Sequence, residues 1–217
     1  MALMRSSEIP KDAVLLNENE ASNYIWEIVY DWKNLSDVWA LRHGSTILGV
    51  INAVSGVVLN RHYRVKLKLG TYGHLATVIP VSVMPAILTM LFHRHLISTN
   101  LLLMKNEHCP ICYEVRSAAI QLALGITYPM LLAPTGALML ANRYNTYRVP
   151  HLQQGPKVMF KFVQKLTKPL TGTLTTLSLI QVAASSIITY FEFKNNIVFR
   201  NKLVDLERKM FYLSLRL

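Results

Sequence analysis

Asp, Glu, Lys and Arg are missing altogether from four stretches of this chain: Gly44–Asn60 (17 residues), Leu75–Phe92 (18), Ser117–Asn142 (26) and Leu170–Phe191 (22). Only 16% of the 217 residues are charged and 52% are hydrophobic, where an ordinary globular domain carries about 25% charged residues. A bilayer core about 30 Å thick is crossed by roughly 17–25 mostly apolar residues in a helix, so each stretch is long enough, the first two narrowly. A soluble all-α protein with buried core helices is the alternative, but soluble helices rarely stay apolar all round for so long. The expectation is an all-α polytopic membrane protein, with four transmembrane helices and flanking amphipathic interfacial helices.

Other absences narrow the function. There is no glycine-rich phosphate loop, H-E-x-x-H or G-x-S-x-G, so neither a catalytic residue nor a cofactor site is expected. No charged residue lies inside the four stretches, whereas coupled transporters and pumps keep ionisable groups at membrane depth. No zinc-finger spacing, aromatic-rich sheet or recognition helix supports nucleic-acid binding, despite a net charge of +11. Met1–Asn23 lacks the apolar core of a secretory signal, and Glu8, Asp12, Glu18 and Glu20 argue against a cleaved mitochondrial presequence. Targeting to mitochondria would then rest on internal information. Two neighbouring cysteines make no disulfide framework.

The charges that are present are unevenly placed. The first connection, Arg61–His74, and the third, Arg143–Pro169, hold ten bases and no acid: Arg61, Arg64, Lys66, Lys68, Arg143, Arg148, Lys157, Lys161, Lys165 and Lys168. The other 13 bases are offset by all 12 acids. With four spans both connections share one side, and short basic loops stay on the side of synthesis or, in mitochondria, in the matrix. Both termini then lie outside. An anionic membrane such as one rich in cardiolipin is the expected partner of this surface, each base contributing about 1 kcal/mol near it.

Three regions follow: an amino-terminal arm with an interfacial helix (1–43), a four-helix transmembrane domain (44–193) and an amphipathic tail (194–217). Ile28, Trp32, Leu35 and Trp39 recur at helical spacing between Tyr24 and His43, and Trp26, Trp32 and Trp39 suit the headgroup region or a partner's face. Ser45, Gly49 and Ala53, with Gly56 nearby, let the first span pack closely, and Asn52, Gln121 and Gln181 are the side chains placed to bond across helices. Pro80 and Pro85 predict a kink in the second span. The third stretch is too long for one straight crossing, so a break is expected at Tyr128-Pro129 or Pro134-Thr135-Gly136. Pro156 suits a helix start. Beyond it Lys157, Lys161, Lys165 and Lys168 oppose Val158, Met159, Phe162, Val163 and Leu166, the pattern of a basic helix lying on a membrane. In the tail, Leu203, Leu206, Met210, Leu213 and Leu217 form a two-heptad stripe that could pack on a partner.

Cys109-Pro110-Ile111-Cys112 is the one motif with evident chemistry. Such a pair can switch between dithiol and disulfide as a redox pair, but it lacks the strands of a thioredoxin-like site. Zinc would need His93, His95 or His108 to complete four ligands. A static disulfide or two plain thiols is the simpler reading, the disulfide being favoured in an oxidising space.

Two stretches resemble the transmembrane protein 126 family of the mitochondrial inner membrane. One runs from His43-Gly44-Ser45 to Asn60-Arg61-His62-Tyr63-Arg64. The other holds Gly125-x-x-Tyr128-Pro129, Leu132-Ala133, Ala141-x-Arg143-Tyr144, then Pro150 and Gly155. Cys109 and Cys112 resemble the paired cysteines of the A-type branch; the arm and tail match less, and the branch stays open. The resemblance implies a non-enzymatic role in assembling respiratory complex I. The partners it implies are membrane-arm subunits and other assembly factors, ECSIT-like and acyl-CoA-dehydrogenase-like among them, as in the intermediate assembly complex of the B-type branch. A permanent structural subunit needs the same surfaces, and a small channel or carrier would have to be lined by Asn52, Gln121 and Gln181.

Overall fold

A computed structural model describes residues 16–103, 109–150 and 156–214, whose regular elements are all helices, with no strand among them. In chain order the helices are α1 (Glu18–Asp31), α2 (Leu35–Lys66), α3 (His74–Leu102), α4 (Pro110–Tyr144), α5 (Pro156–Thr167) and α6 (Thr171–Ser214). Three helical runs, His74–Leu102, Pro110–Tyr144 and Lys157–Leu206, are long and apolar enough to cross a membrane. The fourth expected span, in α2, is not among them. The cause is visible in its composition: Gly44, Ser45, Gly49, Asn52, Ser55, Gly56 and Asn60 dilute the apolar run, and all seven are buried.

They are buried because α2 is the helix around which the others pack, touching α6, α3 and α4 along its length. Its small residues permit that. A Cβ on Gly56 would come within 2.5 Å of the Val81 carbonyl oxygen and 2.8 Å of Ser82 Cα. One turn below, Ser82 Oγ donates to the Ala53 carbonyl at 2.6 Å. Ser45 is buried as well, and a Cβ on Gly49 would press on Met90.

The sequence expectation of one helix from Tyr24 to His43 is corrected: α1 ends at Asp31 and α2 begins at Leu35. The break shifts the helical phase, so Ile25, Trp26, Val29, Val38 and Leu41 turn inward with Leu102 and Phe199, while Leu35 is exposed. Asn17 starts α1 by accepting from Glu18 N–H at 2.7 Å, and its own N–H donates to Glu20 at 2.9 Å, which satisfies groups otherwise orphaned at a helix start. At the other end Arg42 donates to the carbonyls of Val29, Tyr30 and Trp32, satisfying acceptors the helix leaves open. Trp26 is not a headgroup anchor: it is buried, and its Nε1 donates to Thr99 Oγ1 at 3.0 Å. The expected boundaries at residues 43/44 and 193/194 both fall within continuous helices, α2 and α6.

A stop or a bend is what the third stretch leads one to expect, and the stop is corrected. Helix α4 runs unbroken past Tyr128, Pro129, Pro134 and Gly136 to Tyr144. A π-helical turn at Ala123–Thr127 ends immediately before the Tyr128-Pro129 pair, and a second at Ile79–Val83 ends immediately before Met84-Pro85. A proline lacks the N–H for the i→i−4 bond and crowds the carbonyl four residues back, and a widened turn relieves both. The helix ends at Asn145, which adopts the left-handed conformation (φ 52°) that commonly terminates helices.

Candidate functional site

Three amide side chains inside the bundle bond from helix to helix. Gln121 Nε2 donates to Gln181 Oε1 at 2.6 Å and to the Leu48 carbonyl at 3.1 Å; Gln181 Nε2 donates to Ser55 Oγ at 2.8 Å. Asn52 Nδ2 donates to Thr89 Oγ1 at 2.6 Å. These bonds join α2, α3, α4 and α6. They converge on Gly125, where any Cβ would collide with Asn52 Oδ1 and Gln181 Nε2. The three amides therefore lock helices together.

One buried constellation escapes the sequence reading. Glu192 of α6 is fully buried and its carboxylate lies 3.1 and 3.2 Å from His93 Nε2 of α3. Ser98 Oγ donates to the same carboxylate at 3.1 Å, and Ser117 Oγ of α4 sits 3.3 Å from His93 Nδ1. A Cβ on Gly44 would lie 2.7 Å from Glu192 Oε1, so α2 closes the site. Glu192 lies one residue past the charge-free stretch ending at Phe191 and His93 one past that ending at Phe92, so a search for charge-free runs stops just short of both.

The two acid-free connections meet at one end of the bundle. His62 Nε2–H donates to the Leu166 carbonyl at 3.1 Å, Tyr63 and Thr167 hydroxyls are bonded at 2.8 Å, and Thr146 Oγ1 donates to the Leu67 carbonyl at 3.0 Å. Tyr72 and Tyr144 stack at 4.8 Å. Arg61, Lys66, Lys68, Arg143, Arg148, Lys157, Lys161, Lys165 and Lys168 are all exposed there. Arg64 is not part of that surface. It is 5% exposed and donates to Thr77 Oγ1 and the carbonyls of Gly70, Tyr72 and Gly73 at 2.8–3.3 Å. It thereby holds the tight turn in which Lys68, Gly70 and Gly73 all take positive φ. The inward face of α5, Met159, Phe162, Val163 and Leu166, packs on a core of Leu59, Tyr63, Ala133 and Leu170. The chain itself covers that face, and Val158 and Phe160 stay exposed beside the lysines.

A cleft of about 550 Å³ opens between the end of α2, the turn and the start of α3, lined by Val57, Asn60, Arg61, Val65, Lys68, His74 and Val78 among others. Cys109 and Cys112 are joined in a disulfide at the start of α4, with Cα atoms 5.3 Å apart. His93 is taken by Glu192, and His108 lies outside the described residues. The tail stripe is covered in part by the described residues: Leu203 is half-buried, Leu206 exposed, and the side chains of Met210, Leu213 and Leu217 lie outside them.

The family model of transmembrane protein 126 matches residues 22–205. Transmembrane protein 126 of Drosophila melanogaster is 39% identical over 212 residues, which covers 97% of this chain and 95% of that protein. Transmembrane protein 126A of Mus musculus and of Rattus norvegicus are 29% and 28% identical over 159 residues, 73% of this chain and 78% of theirs. No solved structure matches the chain.

Proposed function

The chain belongs to the transmembrane protein 126 family, and from that membership we propose that it is a non-enzymatic scaffold of the mitochondrial inner membrane, an assembly factor for respiratory complex I. Its partners on this reading are membrane-arm subunits, other assembly factors and anionic lipid such as cardiolipin. The observation that carries the reading is the division of labour in the bundle. The interior amides Asn52, Gln121 and Gln181 bond helix to helix, while one end presents nine exposed bases from two acid-free connections. A surface of that kind binds anionic lipids and acidic protein faces.

Helix α2 serves as the fourth span. Val50, Val54 and Val57 along its outer side are 53%, 57% and 45% exposed, a stripe suited to acyl chains. The buried Glu192–His93 pair is the feature a transporter would need, but both side chains are engaged with each other and with Ser98 and Ser117. A structural tie between α3, α4 and α6 accounts for it.

Cells lacking the protein should lose assembled complex I on native gels and accumulate a membrane-arm intermediate, with complexes III and IV intact. Normal complex I would overturn the reading. A complexome profile separates factor from subunit: a factor migrates with subassemblies, a permanent subunit with the finished complex.

A further inference from the structure

We propose that the cleft between α2 and α3 is a binding site for one anionic phospholipid, with the phosphate headgroup at Arg61, Lys68 and His74 and an acyl chain along the valines of α2. Its volume, about 550 Å³, falls within the roughly 300–1,000 Å³ of small-ligand sites. Its lining is amphiphilic: Val57, Val65 and Val78 line the same cleft as the three basic side chains. The side chains of Arg61, Lys68 and His74 make no hydrogen bond or ion pair with the described residues and are free to meet a phosphate.

Asn60 lines the same cleft, is 2% exposed, and gives its Nδ2 to Thr77 Oγ1 at 3.3 Å, which ties α2 to α3 beside it.

Below the cleft, Val57, Val54 and Val50 follow one another at helical spacing down the exposed side of α2. Val50 lies eleven residues before Arg61, or about 16 Å at 1.5 Å per residue, close to half of a ~30 Å hydrocarbon core. Cleft and stripe together have the length of one leaflet and the polarity of an amphiphile. Arg64, through its bonds to Gly70, Tyr72 and Gly73, acts as a positioning residue by holding the turn that carries Lys68.

The inference rests on α2 being a span and is independent of the assembly role. The full chain in neutral detergent is titrated with phosphatidylglycerol, and bound lipid is counted by native mass spectrometry. One retained lipid is expected. Arg61→Gln with Lys68→Gln should weaken retention by roughly ten- to thirtyfold. Val57→Trp, which fills the cleft and leaves every charge in place, should also abolish it. Changing Lys157, Lys161, Lys165 and Lys168 to Gln should weaken adsorption of the basic end to anionic bilayers, yet leave the one lipid held in the cleft bound in detergent. All the changed side chains are exposed, and unaltered helical content shows that the variants fold. Phosphatidylcholine and inorganic phosphate should not compete; displacement by inorganic phosphate would make this a free-anion site and overturn the lipid assignment. Loss of binding in the α5 variant with retention in the cleft variants would overturn it too. Val54→Cys in a bilayer separates the premises: labelling by a water-soluble maleimide refutes α2 as a span. Protection of Val54→Cys with unchanged lipid retention in the cleft variants refutes the site alone.

Discussion

At residue scale, the side chains with the most at stake are those buried without water. Glu192 and His93 satisfy each other inside the bundle, and deleting either leaves the other stranded with Ser98 or Ser117. Removing one partner of a buried ionisable pair costs about 3–5 kcal/mol, while replacing both with apolar groups of similar volume is often nearly neutral. Thermal unfolding in detergent should therefore show Glu192→Leu and His93→Phe each strongly destabilising and the double variant milder than their sum. Strict additivity would mean that the two groups are not coupled. An exposed pair gives a different signature. Lys202 Nζ lies 2.6 Å from Asp37 Oδ2, and that hydrogen bond holds the Asp37 carboxyl below its ordinary range. A depressed folded value stabilises the protein above the unfolded aspartate value of about 3.9 and loses that contribution as pH falls through the folded value. Acidification through that window should lower the unfolding midpoint, and Lys202→Met should remove that part of the pH dependence.

At the scale of elements, the sequence made helices legible where one property persisted over many residues. Three charge-free runs mark α3, α4 and α6 because length and apolarity survive any detail of packing. Helix α2 was harder to read as a span because the glycines, serines and asparagines that make it the packing centre also dilute its apolarity. The π turns were invisible. Tyr128-Pro129 signals a break in isolation, but Gly125 lies within the widened turn upstream, against Asn52 and Gln181, and the helix continues. The site was partly legible for the same reasons. Gln121 and Gln181 stood out in apolar runs, whereas Arg64 looked like its exposed neighbours because sequence does not reveal which base a turn will enclose. The geometry yields a test: Gly125→Leu should misfold or strongly destabilise the bundle, because the new side chain would displace amides joining four helices. Pro134→Ala, which restores a backbone donor within α4, should be neutral or stabilising by unfolding measurements. Destabilisation by Pro134→Ala would show that the proline sets a needed bend.

At the scale of the whole molecule, charge orients the bundle. Ten bases and no acid lie in the two connections that the structure ties together through His62, Tyr63 and Thr146. Helix α4 begins beside Cys112 and ends at Tyr144 at that basic end, and its 35 residues extend about 52 Å at 1.5 Å each, beyond a ~30 Å hydrocarbon core. The disulfide and the basic end therefore belong to opposite faces of a membrane that α4 crosses. In the inner membrane proposed for this chain, short basic segments stay in the matrix, so Cys109 and Cys112 should face the intermembrane space, where a disulfide is chemically at home. Mitoplasts reduced and then treated with a membrane-impermeant maleimide should be labelled at Cys109 and Cys112 without detergent. A cysteine introduced at Lys161, on the exposed face of α5, should be labelled only after the inner membrane is dissolved. The reverse pattern would place the basic end outside, and the surface that grips soluble matrix partners would then be α1 and the exposed end of α6. Labelling of both positions in intact mitoplasts would show that α4 does not cross.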